Sequence, residues 1–130
     1  MVLDTSALLA LLLNEPDAEA FRLALEDDEV HLVSAVTLAE TAIVIEARKG
    51  EAGGRELDLL ARTADLALVP VDAEQVVQAR RAYRRFGKGR HAAGLNFGDV
   101  FAYALSRTAG QPLLFKGSGF AQTDVSRVTV

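Results

Sequence analysis

At 130 residues the chain suits one ordinary domain, residues 1–130, with a real core and no room for a separate targeting or partner-binding module. Half of it is apolar and a quarter is charged, the mixture of a folded globular protein, and the absence of cysteine excludes disulfides, zinc–thiolate sites and cysteine nucleophiles. Only two histidines are present, so any metal would sit mostly on oxygen, and a formal net charge of −4 gives no general attraction for nucleic acid.

The longest apolar run, Ala7 to Leu13, is too short to span a bilayer, and no basic flank of a signal peptide precedes it, so the expected location is the cytoplasm, with no membrane partner. In chain order, Val2-Leu3 reads as a short strand ending at Asp4. Ala7, Leu8, Leu11 and Leu12 then recur at helical spacing. After Pro16-Asp17, the residues Ala20, Phe21, Ala24 and Leu25 mark one side of a second helix, and His31-Leu32-Val33 reads as a strand. Thr37 to Gly50 and Gly54 to Ala64 form an expected helical hairpin, with the Gly53-Gly54 pair as the break before its second helix. Leu66 to Val71 is a third strand, and Asp72 caps a helix towards Phe86. Another helix runs from Gly98 to Ala109 and stops at Gly110. Leu113 to Phe115 is a fourth strand and Arg127 to Val130 a candidate fifth. Strands without polar alternation, separated by helices, indicate an α/β fold: a mostly parallel four- or five-stranded sheet covered on both faces.

Three acids stand out. Asp4 ends a strand that should be central, where an ionised carboxylate is costly unless something positive pairs with it; the competing reading is a cap on the following helix. Glu40 fits a capping box with Thr37, yet it lies among Leu38, Ala39, Ala42 and Ile43, which would turn it inward. Asp99 opens an apolar helix, where capping and the helix macrodipole also account for it. All three fall at strand ends or helix starts that can converge on one edge of a parallel sheet, where such folds bind ligands. From Arg80 to His91 the chain carries Arg80, Arg81, Arg84, Arg85, Lys88 and Arg90 with no acid among them, either a local phosphate-binding face or a solvated helix face. His91 reads as a surface residue.

The segments Val2-Leu3-Asp4-Thr5-Ser6-Ala7-Leu8, Ser34-Ala35-Val36-Thr37-Leu38-Ala39-Glu40 and Leu95-Asn96-Phe97-Gly98-Asp99-Val100-Phe101-Ala102-Tyr103-Ala104 together resemble the PIN-domain nucleases of the VapC toxin family. Leu113-Leu114-Phe115-Lys116-Gly117 and Phe120-Ala121-Gln122-Thr123-Asp124-Val125 continue the resemblance to its last core strand and following loop. It implies a PIN-like three-layer fold and an endoribonuclease, the toxin of a type II toxin–antitoxin pair, which uses Mg²⁺ or Mn²⁺ to cut RNA. It further implies a homodimer and silencing by a VapB-type antitoxin.

Asp4, Glu40 and Asp99 match the family's acidic positions and are expected to be catalytic: Asp4 and Asp99 as metal ligands, Glu40 as a ligand or as the group that orients the attacking water. Ser6 and Asn96 are expected in support, holding waters or phosphate oxygens, although turn and cap roles compete. Arg80, Arg84, Arg85, Lys88 and Arg90 are the expected RNA-backbone contacts. A further family aspartate commonly precedes the phenylalanine matched by Phe120, where this chain has Ser118-Gly119, and Asp124 is the nearest acid that would substitute. The alternative is a PIN-like protein with weakened catalysis that binds RNA or a partner. An aspartyl-phosphate phosphatase would need a second acid where Ser6 stands, and Gly117-Ser118-Gly119 lacks the helix of a nucleotide loop.

Overall fold

The computed structural model describes residues 1–130 and contains a parallel four-stranded sheet with helices on both faces. The strands are β1 (Val2–Leu3), β2 (Leu32–Ser34), β3 (Ala67–Val69) and β4 (Leu113–Leu114), in the order β3-β2-β1-β4. The helices are α1 (Thr5–Leu12), α2 (Ala18–Glu26), α3 (Ala35–Lys49), α4 (Glu51–Thr63), α5 (Ala73–Phe86) and α6 (Phe97–Ala109). β1 pairs with β2 on one side and with β4 on the other, so the direction of strand addition reverses at β1. A cleft at the carboxyl ends of β1 and β4 follows from that reversal, because the connections leave to opposite sides.

Strand periodicity sorts the core into two layers. Val2 and its register partner Leu113 face a cluster built from α5 and α6, with Ala79, Ala82, Phe86, Val100 and Leu105. Leu3 and its partner Leu114 face the opposite cluster, with Leu8, Leu11, Phe21 and Leu25 from α1 and α2. Successive residues of a strand point to opposite faces, so even a two-residue strand is buried on both sides. This explains why Val2-Leu3 carries no polar alternation.

Several boundaries differ from those read in the sequence. α3 begins at Ala35, because Ser34 is its cap and accepts from the Val36 N–H; Thr37 is therefore inside the helix and Glu40 is not part of a capping box. β3 covers only Ala67–Val69 and lies at an edge with Leu68 exposed, shorter and less covered than Leu66 to Val71 implied. The candidate fifth strand reduces to a single parallel bridge between Leu113 and Arg127. The hairpin breaks at Gly50, whose φ of 66° favours glycine, and α4 runs straight through Gly53 and Gly54.

Gly53 is retained for packing. A Cβ there would stand 2.6 Å from the Ile45 carbonyl oxygen, so α3 and α4 approach too closely for any side chain. At Gly54 the obstacle is only the flexible end of Glu46. We expect Gly53→Ala to destabilise the fold by about 1–3 kcal/mol through overpacking. Gly54→Ala should be neutral, or stabilising by up to about 1 kcal/mol from helix propensity. Paired urea melts check this; equal effects at the two sites would contradict the packing role of Gly53.

Candidate active site at the carboxyl end of the central strand

Asp4 is the first residue after β1 and the N-cap of α1. Its backbone is extended and its Oδ2 accepts from the Ser6 N–H at 3.0 Å and from the Ser6 hydroxyl at 2.6 Å. Ser6 Oγ in turn accepts from the Lys116 N–H at 2.9 Å, which ties the chain leaving β4 to the same carboxylate. Oδ1 is buried and has no hydrogen-bond partner, although Asp4 is only 3% exposed. A buried carboxylate oxygen without a donor is costly. Burial accordingly pushes the Asp4 carboxyl up to about 6, against the opposing Ser6 bonds and with help from the charges of Asp99 and Glu40.

Glu40 comes from α3 and accepts from the Thr5 hydroxyl at 2.5 Å through Oε1. Its carboxylate lies against Gly98, where a Cβ would overlap it, so a side chain before Asp99 would push the Glu40 carboxylate from its place beside Thr5. Asp99 closes a capping box at the start of α6: Asn96 Oδ1 accepts from the Asp99 N–H and Asp99 Oδ2 accepts from the Asn96 N–H, each at 2.9 Å. Burial raises the Asp99 carboxyl as well, opposed by the Asn96 N–H and reinforced by Glu40. Asp4, Glu40 and Asp99 thus share one electrostatic neighbourhood, built from the ends of three elements.

These acids do not stand as a finished three-ligand cage, since no group of three acidic or histidine side chains has metal-holding geometry. Each is held by its own protein donor: Ser6 for Asp4, Thr5 for Glu40 and Asn96 for Asp99. An oxygen-only set with one buried, unpartnered carboxylate oxygen fits a small hard cation that keeps part of its water shell.

Asp124 lies elsewhere. Tyr103 donates to its Oδ1 at 2.5 Å, Arg85 donates to its Oδ2 at 3.1 Å, and Arg107 stands 3.9 Å from Oδ2. Partial burial pushes Asp124 up, but Tyr103 and the two guanidiniums outweigh it and hold the carboxyl below its ordinary range. The replacement of the absent family acid by Asp124 is therefore not what the structure brings together. Gly119 has an ordinary helical φ of −60°, and a Cβ there would stand 3.0 Å from the Ala93 carbonyl oxygen.

The basic stretch divides between two surfaces. Arg80, Arg84 and Lys88 line a cleft between α5 and α6 that reaches Asn96. Arg85 is spent on Asp124 and also lies over Phe86, while Arg90 lies over the ring of Tyr83. His91 is exposed, and its Nδ1 accepts from the Ala93 N–H at 3.0 Å. Thr5 and Gly98 were missed as site residues in the sequence; their signals were the hydroxyl beside Asp4 and the small residue before Asp99.

A family model described as PIN domain matches residues 1–126, which defines the class of fold and site. The chain is 61% identical over 128 residues, 98% of its length and 99% of the relative's, to Ribonuclease VapC of Mycolicibacterium smegmatis. It is 57% identical over 130 residues, 100% of its length and 99% of the relative's, to Ribonuclease VapC30 of Mycobacterium tuberculosis. Among solved structures it superposes on VapC20 of Mycobacterium tuberculosis, a sarcin-ricin loop cleaving toxin, with TM-score 0.78 and 18% identity over 98% of this chain and 97% of that one. It also superposes on VapBC2 of Rickettsia felis, solved bound to a DNA fragment from their promoter, with TM-score 0.76 and 14% identity over 98% and 96% of the two chains. The chain belongs to the VapC family of PIN-domain proteins.

The raised Asp4 carboxyl carries a pH consequence for the metal-free protein. Its folded value of about 6 exceeds the ordinary 3.8, so its contribution to stability is complete below pH 3.8 and is lost as pH rises through 6. We expect the wild type to lose on the order of 3 kcal/mol from this group across that window, and Asp4→Asn to lose none of it. Urea melts of both proteins in chelator, from about pH 4 to about pH 7, isolate the difference. Parallel pH profiles would mean that the carboxylate is not desolvated.

Proposed function

We propose that the chain is a metal-dependent endoribonuclease, the toxin of a type II toxin–antitoxin pair, which hydrolyses RNA phosphodiester bonds at Asp4, Glu40 and Asp99. The observation that supports this most is the buried Oδ1 of Asp4, left without a donor beside two further carboxylates in a chain 61% identical to a VapC ribonuclease. A structural cap would need one oxygen, and Oδ2 already serves.

In this reading Asp4 and Asp99 hold Mg²⁺ or Mn²⁺. When bound, the cation supplies the positive charge that neutralises the scissile phosphate and acidifies an attacking water. The remaining steps belong to the protein. Ser6 holds Asp4 through Oδ2 and leaves Oδ1 without a partner, and Thr5 holds one oxygen of Glu40 while the other remains free to accept a proton or orient a water. Asn96 keeps Asp99 at the first turn of α6, where the helix macrodipole favours its anionic form. Three acids in mutual repulsion are a receptor for positive charge, so a VapB-type antitoxin that presents a guanidinium here would compete with the metal. The similarity to VapBC2 of Rickettsia felis supports a VapB-type partner.

A homodimer is proposed through the outer face of α3, where Ile43 is 69% exposed and Ala47 is also exposed. A cytoplasmic site of action follows from an RNA substrate, and no helix is long and apolar enough to cross a membrane.

Asp99→Asn tests the reading. The amide retains an acceptor for the Asn96 N–H, so the capping box and the melting temperature should be nearly unchanged. Cleavage of total RNA in Mg²⁺ or Mn²⁺ should fall by at least about 100-fold, as expected when a metal-binding charge is removed. Full activity in this variant would sink the assignment. A folded wild type that binds RNA yet cuts none in either metal would favour a PIN-like binding protein instead.

A further inference from the structure

The cleft between α5 and α6 has a volume of about 610 Å³ and is lined by apolar side chains with Arg80, Arg84 and Lys88 at its rim and no acid at all. Its end is Asn96, the cap of the helix turn that carries Asp99. Phe97, the first residue of α6, is 72% exposed, an unusual place for a phenylalanine beside a polar site. Its ring meets that of Phe101, one turn further on, edge to face with centroids 5.1 Å apart. The contact fixes the ring's orientation and leaves a flat face open.

We propose that this cleft is a subsite for an unpaired RNA nucleotide, its base stacked on Phe97 and its flanking phosphates held by Arg80, Arg84 and Lys88. The inference rests on the ribonuclease reading and adds to it the place of one base, on Phe97, and of its flanking phosphates, in the cleft that ends at Asn96. Charge selects the occupant. An isologous contact with a second copy would bring one set of these cations against another with no acid to separate them. A strand of nucleic acid supplies flat apolar groups and anions in alternation, the pattern the cleft presents in complement. A paired base has its faces covered by its neighbours, so only an unpaired one can lie on Phe97. Phe97 and Asp99 stand two residues apart on α6 and project to different sides of the helix, so a strand with a base on Phe97 reaches the acids by passing Asn96, the cleft residue whose N–H Asp99 holds.

The test is fluorescence anisotropy of a labelled single-stranded RNA, and of a blunt duplex of the same composition, titrated with the full chain in chelator so that nothing is cut. Phe97→Leu, which keeps an apolar side chain at an exposed position, should weaken single-strand binding about 10-fold or more and leave duplex binding unchanged. Phe97→Tyr should bind as the wild type does. Arg80→Gln should lower the slope of log K against log salt by about 0.7, one phosphate contact of a single strand. Undiminished single-strand binding by Phe97→Leu, or equal losses for strand and duplex, would overturn the subsite. So would a wild type with no affinity for the single strand, which would hand the cleft to a protein partner. Light scattering on the same samples covers the remaining occupant: a Phe97→Leu protein of half the wild-type mass would make the cleft a contact between copies. Cleavage in Mg²⁺ or Mn²⁺ is scored separately. A wild type that cuts RNA, with Phe97→Leu unimpaired in binding and cutting, loses the subsite and keeps the ribonuclease; a wild type that binds through Phe97 and never cuts keeps the subsite and loses the ribonuclease.

Discussion

A carboxylate with one oxygen satisfied and the other buried without a donor, at the end of the central strand, is the constraint around which this molecule is arranged. Asp4 is placed there by topology. β1 lies between β2 and β4, both parallel to it, so its carboxyl end is where the chain departs in two directions and where two helical layers leave a gap. The two-faced burial of Val2 and Leu3 makes that strand rigid, and the Lys116 N–H to Ser6 to Asp4 connection carries its position to the chain leaving β4. The acid is held firmly in a place where its charge is unfavourable, the kind of local cost that folded proteins concentrate at functional sites.

Helix capping and metal holding compete as explanations only while a carboxylate is treated as one group. Asp4 Oδ2 caps α1, and Oδ1 is free. Asp99 Oδ2 closes the capping box with Asn96, and its other oxygen takes no part in that box. Glu40 is different: it caps nothing, and Thr5 and the absence of a side chain at Gly98 hold it in place. Two of the acids therefore contribute to helix starts while sharing one electrostatic neighbourhood with Glu40, which allows a compact domain to carry an acidic cluster without a separate scaffold for it.

The order of strands and helices was legible because apolar periodicity and glycine or proline punctuation report local structure directly. What was not legible depends on tertiary distance. Gly53-Gly54 has the composition of a break, yet Gly53 exists because the Ile45 carbonyl passes 2.6 Å from where a Cβ would be. Thr37 and Glu40 have the spacing of a capping box, but Ser34, already in position at the end of β2, starts the helix two residues earlier. At the site, Asp4, Glu40 and Asp99 stood out as acids at strand ends and helix starts, each with a capping role in competition, and the resemblance to a family singled them out as a set. Asp124 shows the limit of that reasoning. Proximity in sequence to a missing acid said nothing of Arg85, which lies 39 positions away and pairs with it.

The net charge of −4 looked like an argument against a polyanionic substrate, and the arrangement of charges shows why it is a poor one. Exposed charges are screened beyond about 8–10 Å at physiological salt, so an approaching strand meets local surfaces rather than a total. On α5 the acid nearest the basic run is Glu74, at the far end of the helix, and Arg80, Arg84 and Lys88 form an uninterrupted rim. Arg85 is paired with Asp124 and Arg81 lines a different surface beside Tyr103 and Arg107, so it is Arg80, Arg84 and Lys88 that lead to Asn96. An acidic cluster alone would repel phosphate. Arg80, Arg84 and Lys88 set positive charge along the cleft that reaches Asn96, which itself bonds Asp99, so attraction for phosphate and the acidic cluster meet at the start of α6.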